Sequence, residues 1–311
     1  LLQDNKEQIP ASIIIEFAAI DSILKEGLES LSAALDIRSE LVQWSSFIQS
    51  DYQNLTTLNS APLKVNNFIY ENLLQAYPGG VLCSATLMVN DDFRYFGEKV
   101  GLELAVIDHH VKERIYHSPF HYNDQVKLFV FRGSINVNDP LFMNEIGSQI
   151  EKIFTSLKKR MLVLCTSFKQ ILALKNYIEP KLRDDDCKLF VQAPGISRNV
   201  LIRNYCSNPH SILIGTSSFW EGVDFPGDKV EILYIVKTPF ENPFDPMVQA
   251  QIEDYKQRGD DPFLQFQIPE AAMRFRQGFG RLIRNMDDMG ICVVADTRLY
   301  KRDYGQTILG S

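Results

Sequence analysis

The sequence lacks the features that mark a disulfide-bonded, a membrane-spanning or a strongly basic protein. Its five cysteines are scattered and none is spaced as C-x-x-C. This pattern indicates neither disulfides nor metal ligands and favours the reducing cytoplasm; we expect Cys83, Cys165 and Cys292, which lie in apolar runs, to be buried. No run approaches the ~18 apolar residues of a membrane span, and nothing resembles a signal peptide. The net charge of −7 gives nucleic-acid binding no support, so that function would need a local basic track.

What is present is an ordinary globular composition. Of the 311 residues, 45% are hydrophobic and 23% are charged, and the chain is long enough for two domains. The sequence starts at Leu1, without an initiator Met, and enters helical sequence almost at once. We therefore interpret it as part of a longer protein.

The order of the apolar segments predicts an α/β fold. Residues 11–35 have mostly helical spacing, and short strand-like pieces follow around Trp44 and Leu55. Beyond residue 120, strands alternate with helices, which indicates a mainly parallel sheet covered by helices on both faces. Strands are predicted at 81–87, 126–131, 161–165, 188–192, 211–215, 230–236 and 291–295, and helices at 140–157, 168–178, 198–205, 246–258 and 270–285. Ligands of such sheets bind at the carboxyl ends of the strands, where we expect all candidate motifs to fall.

The octet QGFGRLIR, residues 277–284, is the stretch around which the chain is organised. On the helix predicted for 270–285, Gln277, Arg281 and Arg284 share one face. Gly278 and Gly280 cost the helix ~0.5–1 kcal/mol each and let another backbone or a ligand come close. The opposite face is predicted to be an apolar stripe of Ala272, Phe275, Phe279, Leu282 and Met286. Guanidiniums at this spacing suit phosphate oxygens, and the alternative is a solvated basic face of an ordinary helix.

A second motif, IGTSSFWEGVDFPG at residues 214–227, joins two predicted strands. Its glycines and hydroxyl residues can offer backbone N–H groups to a phosphate. Glu221 and Asp224 could orient an arginine or a water. The alternative is an ordinary surface loop, which the adjacent aromatics Phe219 and Trp220 disfavour, because a solvated loop seldom carries two.

Hydroxyl residues follow two further strands. Thr166 and Ser167 come after strand 161–165 at a helix N terminus, where they could contact the phosphates of a nucleic-acid backbone or form a simple cap. Ser84 and Thr86 end the segment 81–87, for which a buried strand followed by a helix cap is the alternative.

Together these strings resemble motifs of the DinG/XPD branch of superfamily-2 DNA helicases. The octet 277–284 is similar to the sixth motif, 214–227 to the fifth (typically G-T-x-S-F-W-E-G-V-D-x-P-G) and 162–168 to the fourth. Residues 81–87 are similar to the third, often T-S-A-T-L, with Cys83 in place of the first Thr. The resemblance covers about residues 55–305. The sequence holds no G-x-x-x-x-G-K-[ST] phosphate loop, no Asp-Glu-x-His magnesium motif and no four-cysteine cluster.

The resemblance implies a three-part chain. Residues 1–54 would be a mostly helical segment at the end of an arch-like insertion, and 55–107 the closing part of motor domain 1 with the third motif. Residues 108–311 would be a RecA-like motor domain 2. The implied function is the C-terminal motor portion of an ATP-dependent DNA helicase, 5′→3′ in polarity, monomeric and away from membranes. This fragment alone is expected to be inactive.

The resemblance also implies roles for individual residues. Catalysis on the γ-phosphate would fall to Arg284 as arginine finger, with Arg281 and Gln277. The nucleotide would be bound by Glu221, Gly222, Asp224 and Gly280, and single-stranded DNA by Thr166, Ser167, Gly215 and Thr216. ATP and Mg²⁺ are expected, with their ligands mostly in the absent first motor domain. No metal site is expected here, and any iron–sulfur cluster would lie elsewhere in the full protein. The alternatives are a non-catalytic domain that binds single strands or a partner protein, and part of a DinG-type exonuclease.

Overall fold

A computed structural model describes most of the chain. The described residues are 11–35, 40–49, 54–77, 79–89, 91–108, 111–133, 135–182, 186–220, 225 and 230–310. In this part of the chain, no helix is both long and apolar enough to cross a membrane.

The chain begins with one long helix and a hairpin. Helix α1, Ala11–Leu35, confirms the helical prediction for this segment, and its eight large apolar side chains from Ile15 onward are 49–70% exposed. Strands β1, Leu41–Gln49, and β2, Asn54–Pro62, pair antiparallel from Leu41–Pro62 to Gln49–Asn54. The hairpin thus pairs residues on both sides of the boundary that the sequence suggested at 54/55.

The segment 81–87 is not the predicted buried strand. It follows α2, Asn66–Ile69, and a π-helical stretch over Tyr70–Leu74, and it precedes α3, Arg94–Val100, and α4, Leu102–Asp108. Within the described residues this segment pairs with no strand, and Cys83 is exposed. The prediction failed because apolar character alone cannot make a strand without a neighbour to pair with and pack against.

The centre of the fold is a six-stranded parallel sheet, which confirms the predicted fold class. Its strands in spatial order are β3, β8, β7, β4, β6 and β5, and every recorded pairing within it is parallel. The strands are β3, Val126–Val130; β4, Met161–Leu164; β5, Lys188–Val191; β6, Ser211–Gly215; β7, Ile232–Ile235; and β8, Gly290–Val294. β4, β6 and β7 are completely buried, as is typical of central parallel strands.

Helices cover the two faces of this sheet. They are α5, Tyr122–Gln125; α6, Phe142–Leu157; α7, Phe168–Ile178; α8, Arg198–Ser207; α9, Ser217–Trp220; α10, Pro246–Gln257; α11, Ile268–Phe279; α12, Arg298–Lys301; and α13, Tyr304–Gly310. Alternate residues of each strand point to opposite faces, so Leu162 and Leu164 pack with α8 and α11 while Met161 and Val163 pack with α6 and α7.

Local signals set several helix starts. Ser167 caps α7 by accepting a hydrogen bond from the Gln170 N–H, as its position in the sequence predicts. Asp245 caps α10 by accepting from the N–H groups of Met247 and Val248, and Pro246 occupies the first turn.

Candidate functional site

Two hydroxyl-bearing loops meet at the carboxyl ends of β4 and β6. These strands are neighbours, with Leu164 paired to Gly215, and the Cys165 N–H donates to the Gly215 carbonyl at 2.8 Å. Thr166 and Ser167 follow β4, and Thr216 follows β6. The fold therefore brings the four predicted strand-binding residues to one edge of the sheet.

Glutamine side chains hold both loops. The Thr166 N–H donates to Gln170 Oε1 at 2.9 Å, and the Thr216 N–H donates to Gln192 Oε1 at 2.8 Å. Thr216 is buried, and its hydroxyl lies 3.4 Å from the same Gln192 oxygen. These bonds fix the backbone of each loop, so whatever binds here meets a preformed surface.

The two adjacent aromatics of the 214–227 motif, Phe219 and Trp220, are buried, as their presence in the sequence suggested. Phe219 packs against Gly215, where a Cβ atom would overlap the Phe219 ring. Trp220 donates its indole N–H to the Cys165 carbonyl at 3.1 Å and packs against Gly278, where a Cβ atom would lie 2.5 Å from the indole. Gly278 therefore lets the Trp220 ring come close, where the sequence suggested another backbone or a ligand.

Arg281 joins the sixth motif to the fifth. Its guanidinium donates from Nε at 3.2 Å and from Nη2 at 2.8 Å to the Trp220 carbonyl, at the end of α9. A cation at the C terminus of a helix interacts favourably with the exposed carbonyls there.

The predicted helix over 270–285 was wrong at its end, because α11 stops at Phe279. The chain then turns through two backbone hydrogen bonds, each between residues three positions apart. The Arg281 N–H donates to the Gly278 carbonyl, and the Leu282 N–H donates to the Phe279 carbonyl. Leu282 and Ile283 in this turn are both buried, whereas Met286 of the predicted apolar stripe is 55% exposed.

The turn after α11 also lies at the opposite edge of the sheet from the one predicted. Residues 281–289 lead directly into β8, so Arg281 and Arg284 precede the amino end of that strand and not a carboxyl end.

Arg284 is held by Asp288 in this turn. Asp288 accepts hydrogen bonds from the backbone N–H of Arg284 at 2.7 Å and of Asn285 at 2.8 Å. The Arg284 guanidinium is half-buried and its Nη1 lies 3.4 Å from the Phe225 carbonyl. Burial lowers the pKa of Arg284 from its usual value, and Asp288 opposes that shift. A partly desolvated cation of this kind interacts strongly with an approaching anion.

Two glutamines complete the site. Gln125, which precedes β3, is buried and donates to the carbonyls of Asn285, Met286 and Asp288 at 3.2, 3.0 and 3.0 Å. Nothing in the sequence signalled this role, because the contact joins residues about 160 positions apart. Gln277 is partly buried, and its Oε1 has no hydrogen-bond partner among the described residues.

Some predicted site residues lie outside the described part of the chain. They are Glu221, Gly222 and Asp224, so their pairing with an arginine stays a prediction. Gly280 is exposed and its surroundings are open, the nearest atom to an added Cβ being 3.4 Å away. Among the described residues, no three His, Cys, Asp or Glu side chains are grouped so as to hold a metal ion.

Contacts also tie residues 64–99 to α10 and α11. Arg276 donates to the Ala85 carbonyl at 3.0 Å, in the segment similar to the third motif. Glu270 accepts from Tyr95 Oη at 2.6 Å and pairs with Lys99. These contacts link the start and end of α11 to the part of the chain that precedes the sheet.

Comparison with known proteins agrees with this geometry. The helicase C-terminal domain family matches residues 150–311, just over half of the chain. ATP-dependent DNA helicase YoaA of Haemophilus influenzae is 35% identical over 294 residues, which cover 94% of this chain and 44% of that protein. The 3′-5′ exonuclease DinG of Bacillus subtilis is 29% identical over 270 residues, which cover 86% of this chain and 29% of that protein. The chain thus spans less than half the length of either relative.

A solved structure supports the same fold. XPD in its apo form aligns over 99% of this chain and 59% of its own, with a TM-score of 0.57 and 15% sequence identity. At this identity the likeness shows the fold alone. The family match, by contrast, covers the residues of the fourth, fifth and sixth motifs. The chain therefore belongs to the helicase C-terminal domain family, in the DinG/XPD-like branch of the superfamily-2 helicases.

Proposed function

We propose that this chain is the C-terminal motor portion of a monomeric, ATP-dependent, 5′→3′ DNA helicase. It would complete the ATP site of the full-length protein and grip single-stranded DNA. The observation that carries the proposal is the junction between Arg281 and the Trp220 carbonyl, which joins the two motifs with phosphate-binding chemistry. We divide the chain into a segment over 1–54, the end of motor domain 1 over 55–107 and motor domain 2 over 108–311.

The residues at this junction fit the phosphates of ATP. Arg284 offers a partly desolvated guanidinium, which can meet two phosphate oxygens at once. The amide of Gln277 has a buried oxygen without a partner among the described residues; rotated by 180°, it would present its N–H donors at the same place to a phosphate oxygen. Bound ATP supplies the phosphoanhydride bond whose cleavage drives the motor.

Within this site the residues divide the work. Arg281 holds the C-terminal end of α9 through its bonds to the Trp220 carbonyl, and Glu221, Gly222, Asp224 and Gly280 would line the nucleotide. Arg284 would stabilise negative charge that develops on the transferred phosphoryl group. Mg²⁺ is assigned no residue of this chain, and an iron–sulfur cluster, if the full protein has one, is assigned to another part of it.

A second surface, formed by the loops after β4 and β6, would bind single-stranded DNA. Ser167 lies at the N terminus of α7, where hydroxyl and N–H groups contact a phosphate favourably. Thr166, Gly215 and Thr216 supply the rest of this edge, at the carboxyl ends of β4 and β6. Because these residues would contact the phosphate backbone of DNA and not the bases, we expect binding at this edge to be independent of DNA sequence.

The test is the ATPase rate of the full-length protein with and without single-stranded DNA. We expect DNA to stimulate turnover, and Arg281→Ala to abolish the stimulated rate, with exposed Arg203→Ala on α8 as the matched control. Binding of DNA without any turnover would instead favour a non-catalytic strand-binding domain. DNA degradation that persists without ATP would favour part of a DinG-type exonuclease, the activity named for the Bacillus subtilis relative.

A further inference from the structure

Three cations line the carboxyl ends of three adjacent strands. Arg132 follows β3, Lys301 lies on α12 after β8, and Lys237 follows β7. The spatial order of the sheet places β3 beside β8 and β8 beside β7. The three side chains therefore belong to one row along the same edge that carries Thr166 and Thr216.

Specific contacts hold each cation of this row. The Arg132 guanidinium lies 4.2 Å from the centroid of the Tyr300 ring, and Lys301 Nζ donates to the Gly133 carbonyl at 3.3 Å. Lys237 Nζ donates to the Val137 carbonyl at 2.6 Å. These contacts fix the cations in place without neutralising them, because a carbonyl and an aromatic ring carry no net charge.

The row concentrates positive charge in a chain whose net charge is −7. Asp296, which is fully buried, is neutralised by Arg298, whose Nη2 lies 2.7 Å from Asp296 Oδ2. Burial lowers the pKa of Lys237 from its usual value, and Arg298 lowers it further while Asp296 opposes both. An anion bound beside Lys237 would relieve this repulsion.

An exposed aromatic ring lies within the row. Tyr300 is 55% exposed although Arg132 stacks on it. Cations that track a phosphate backbone, interleaved with an aromatic ring on which a base can stack, are the combination used to bind single strands without regard to sequence. A site for free phosphate or for an acidic protein would need the cations but not the ring.

We propose that Arg132, Lys237, Tyr300 and Lys301 form a further contact surface for a single nucleic-acid strand. The inference rests on the proposed function and extends it: the strand held at β4 and β6 continues over β7, β8 and β3. At ~4.8 Å between neighbouring strands, the path from β6 to β3 is about 19 Å long. Arg132, Lys237 and Lys301 contact phosphates, and Tyr300 stacks on a base.

The test uses the full-length protein and a labelled oligothymidylate, titrated at several salt concentrations. Arg132→Gln/Lys301→Gln should weaken binding and reduce the slope of log affinity against log salt by about 1.4, since each phosphate contact on a single strand contributes ~0.7. Tyr300→Ala should weaken binding by at least about fivefold, and Tyr300→Phe should restore it. Tyr300→Ala should not change the affinity for an abasic strand, which has the same phosphates but no base.

Two controls distinguish binding by this row from binding by the loops after β4 and β6 and from general electrostatic attraction. Lys181, whose Nζ lies 3.4 Å from the centroid of the Tyr177 ring, is the matched cation–aromatic pair at the end of α7, and Lys181→Gln should leave affinity and salt slope unchanged. ATP turnover without DNA should be unchanged in every variant of the row.

The outcomes are distinguishable. If the row variants bind like wild type while Thr166→Ala/Thr216→Ala loses affinity, the row is not a strand contact and the proposed function stands. If Tyr300→Ala binds normally, or Lys181→Gln is as weak as the double variant, the row is a general anion surface and the inference is overturned. If the wild-type protein neither binds the strand nor hydrolyses ATP, the proposed function fails and this inference fails with it.

Discussion

Gly278 and Gly280 lie two residues apart and meet different surroundings. A Cβ at position 278 would lie 2.5 Å from the buried Trp220 ring, whereas at position 280 the nearest atom is 3.4 Å away and the backbone φ is −61°. We therefore predict that Gly278→Ala lowers the free energy of unfolding by ~1–3 kcal/mol through overpacking. Gly280→Ala should be neutral or stabilise by up to ~1 kcal/mol, because it restricts the unfolded chain.

Chemical denaturation of the two variants measures this difference. Each serves as the other's control, since both add one methyl group near the end of α11. Equal denaturation midpoints for Gly278→Ala and Gly280→Ala would show that the Trp220 ring moves aside freely and that the close packing carries no stability.

The substitution Arg284→Lys tests the proposed role of Arg284 as the arginine finger. Lysine keeps the charge but loses the planar fork that meets two phosphate oxygens. Arginine fingers are typically worth ~10³–10⁵ in turnover, so we expect DNA-stimulated ATP turnover of the full-length protein to fall well over tenfold. Melting temperature and oligonucleotide affinity should stay close to wild type, because Asp288 accepts a hydrogen bond from the backbone N–H of residue 284, which lysine keeps.

The exposed Arg203→Lys on α8 is the matched control for this substitution. Turnover of Arg284→Lys within a factor of about three of wild type, under ~1 kcal/mol of barrier, would assign the finger elsewhere. A collapse of the melting temperature would instead make Arg284 a structural residue.

At the scale of elements, the turn over residues 281–289 is positioned by a residue far away in sequence. Gln125, at the end of α5, donates to three carbonyls of this turn, and Asp288 accepts from two of its N–H groups. The turn therefore has a fixed shape although it has no regular secondary structure. This explains how a loop residue such as Arg284 can be presented in one orientation.

We predict that Gln125→Ala loosens this turn. Buried carbonyls left without a donor cost roughly 1–3 kcal/mol of stability, and ATP turnover in the full-length protein should fall because Arg284 is no longer held. Gln125→Glu should be at least as damaging, since a carboxylate would face three carbonyl oxygens. The exposed Gln257→Ala on α10 provides the control, and unchanged unfolding of Gln125→Ala would mean that water replaces the amide.

At the scale of the whole molecule, the described residues supply one side of a proposed nucleotide site. Arg276 contacts Ala85, and Glu270 contacts Tyr95 and Lys99, so the helix that leads to the arginines is tied to the segment similar to the third motif. Movement of α11 would therefore reach the segment that precedes the sheet through these three contacts.

We predict that this chain alone does not hydrolyse ATP. Its sequence holds no phosphate loop and no Asp-Glu-x-His motif, and without them nothing positions the nucleotide against Arg284. The measurement is phosphate release by the purified chain with single-stranded DNA, beside an Arg284→Ala sample that reports contaminating activity. DNA-stimulated release above that background would refute the prediction.

The sequence by itself determined the parts of this protein that depend on neighbours along the chain. The alternation of apolar strands and helices predicted the parallel sheet, and Ser167 predicted the start of α7, because period and capping act within a few residues. The octet 277–284 and the segment 214–227 were enough to identify the family.

Only the tertiary structure decided the rest, because it depends on residues far apart in sequence. Periodicity extended α11 through Arg284, but the helix ends at Phe279 and the chain turns, with Leu282 and Ile283 buried in the core. Gln125 and the turn that it holds are separated by about 160 residues. Likewise, Arg132 and Tyr300 lie far apart in sequence and come into contact because β3 pairs with β8. The free energy of such tertiary contacts outweighs the local preference of a segment for helix or strand, and no local sequence pattern reveals these contacts.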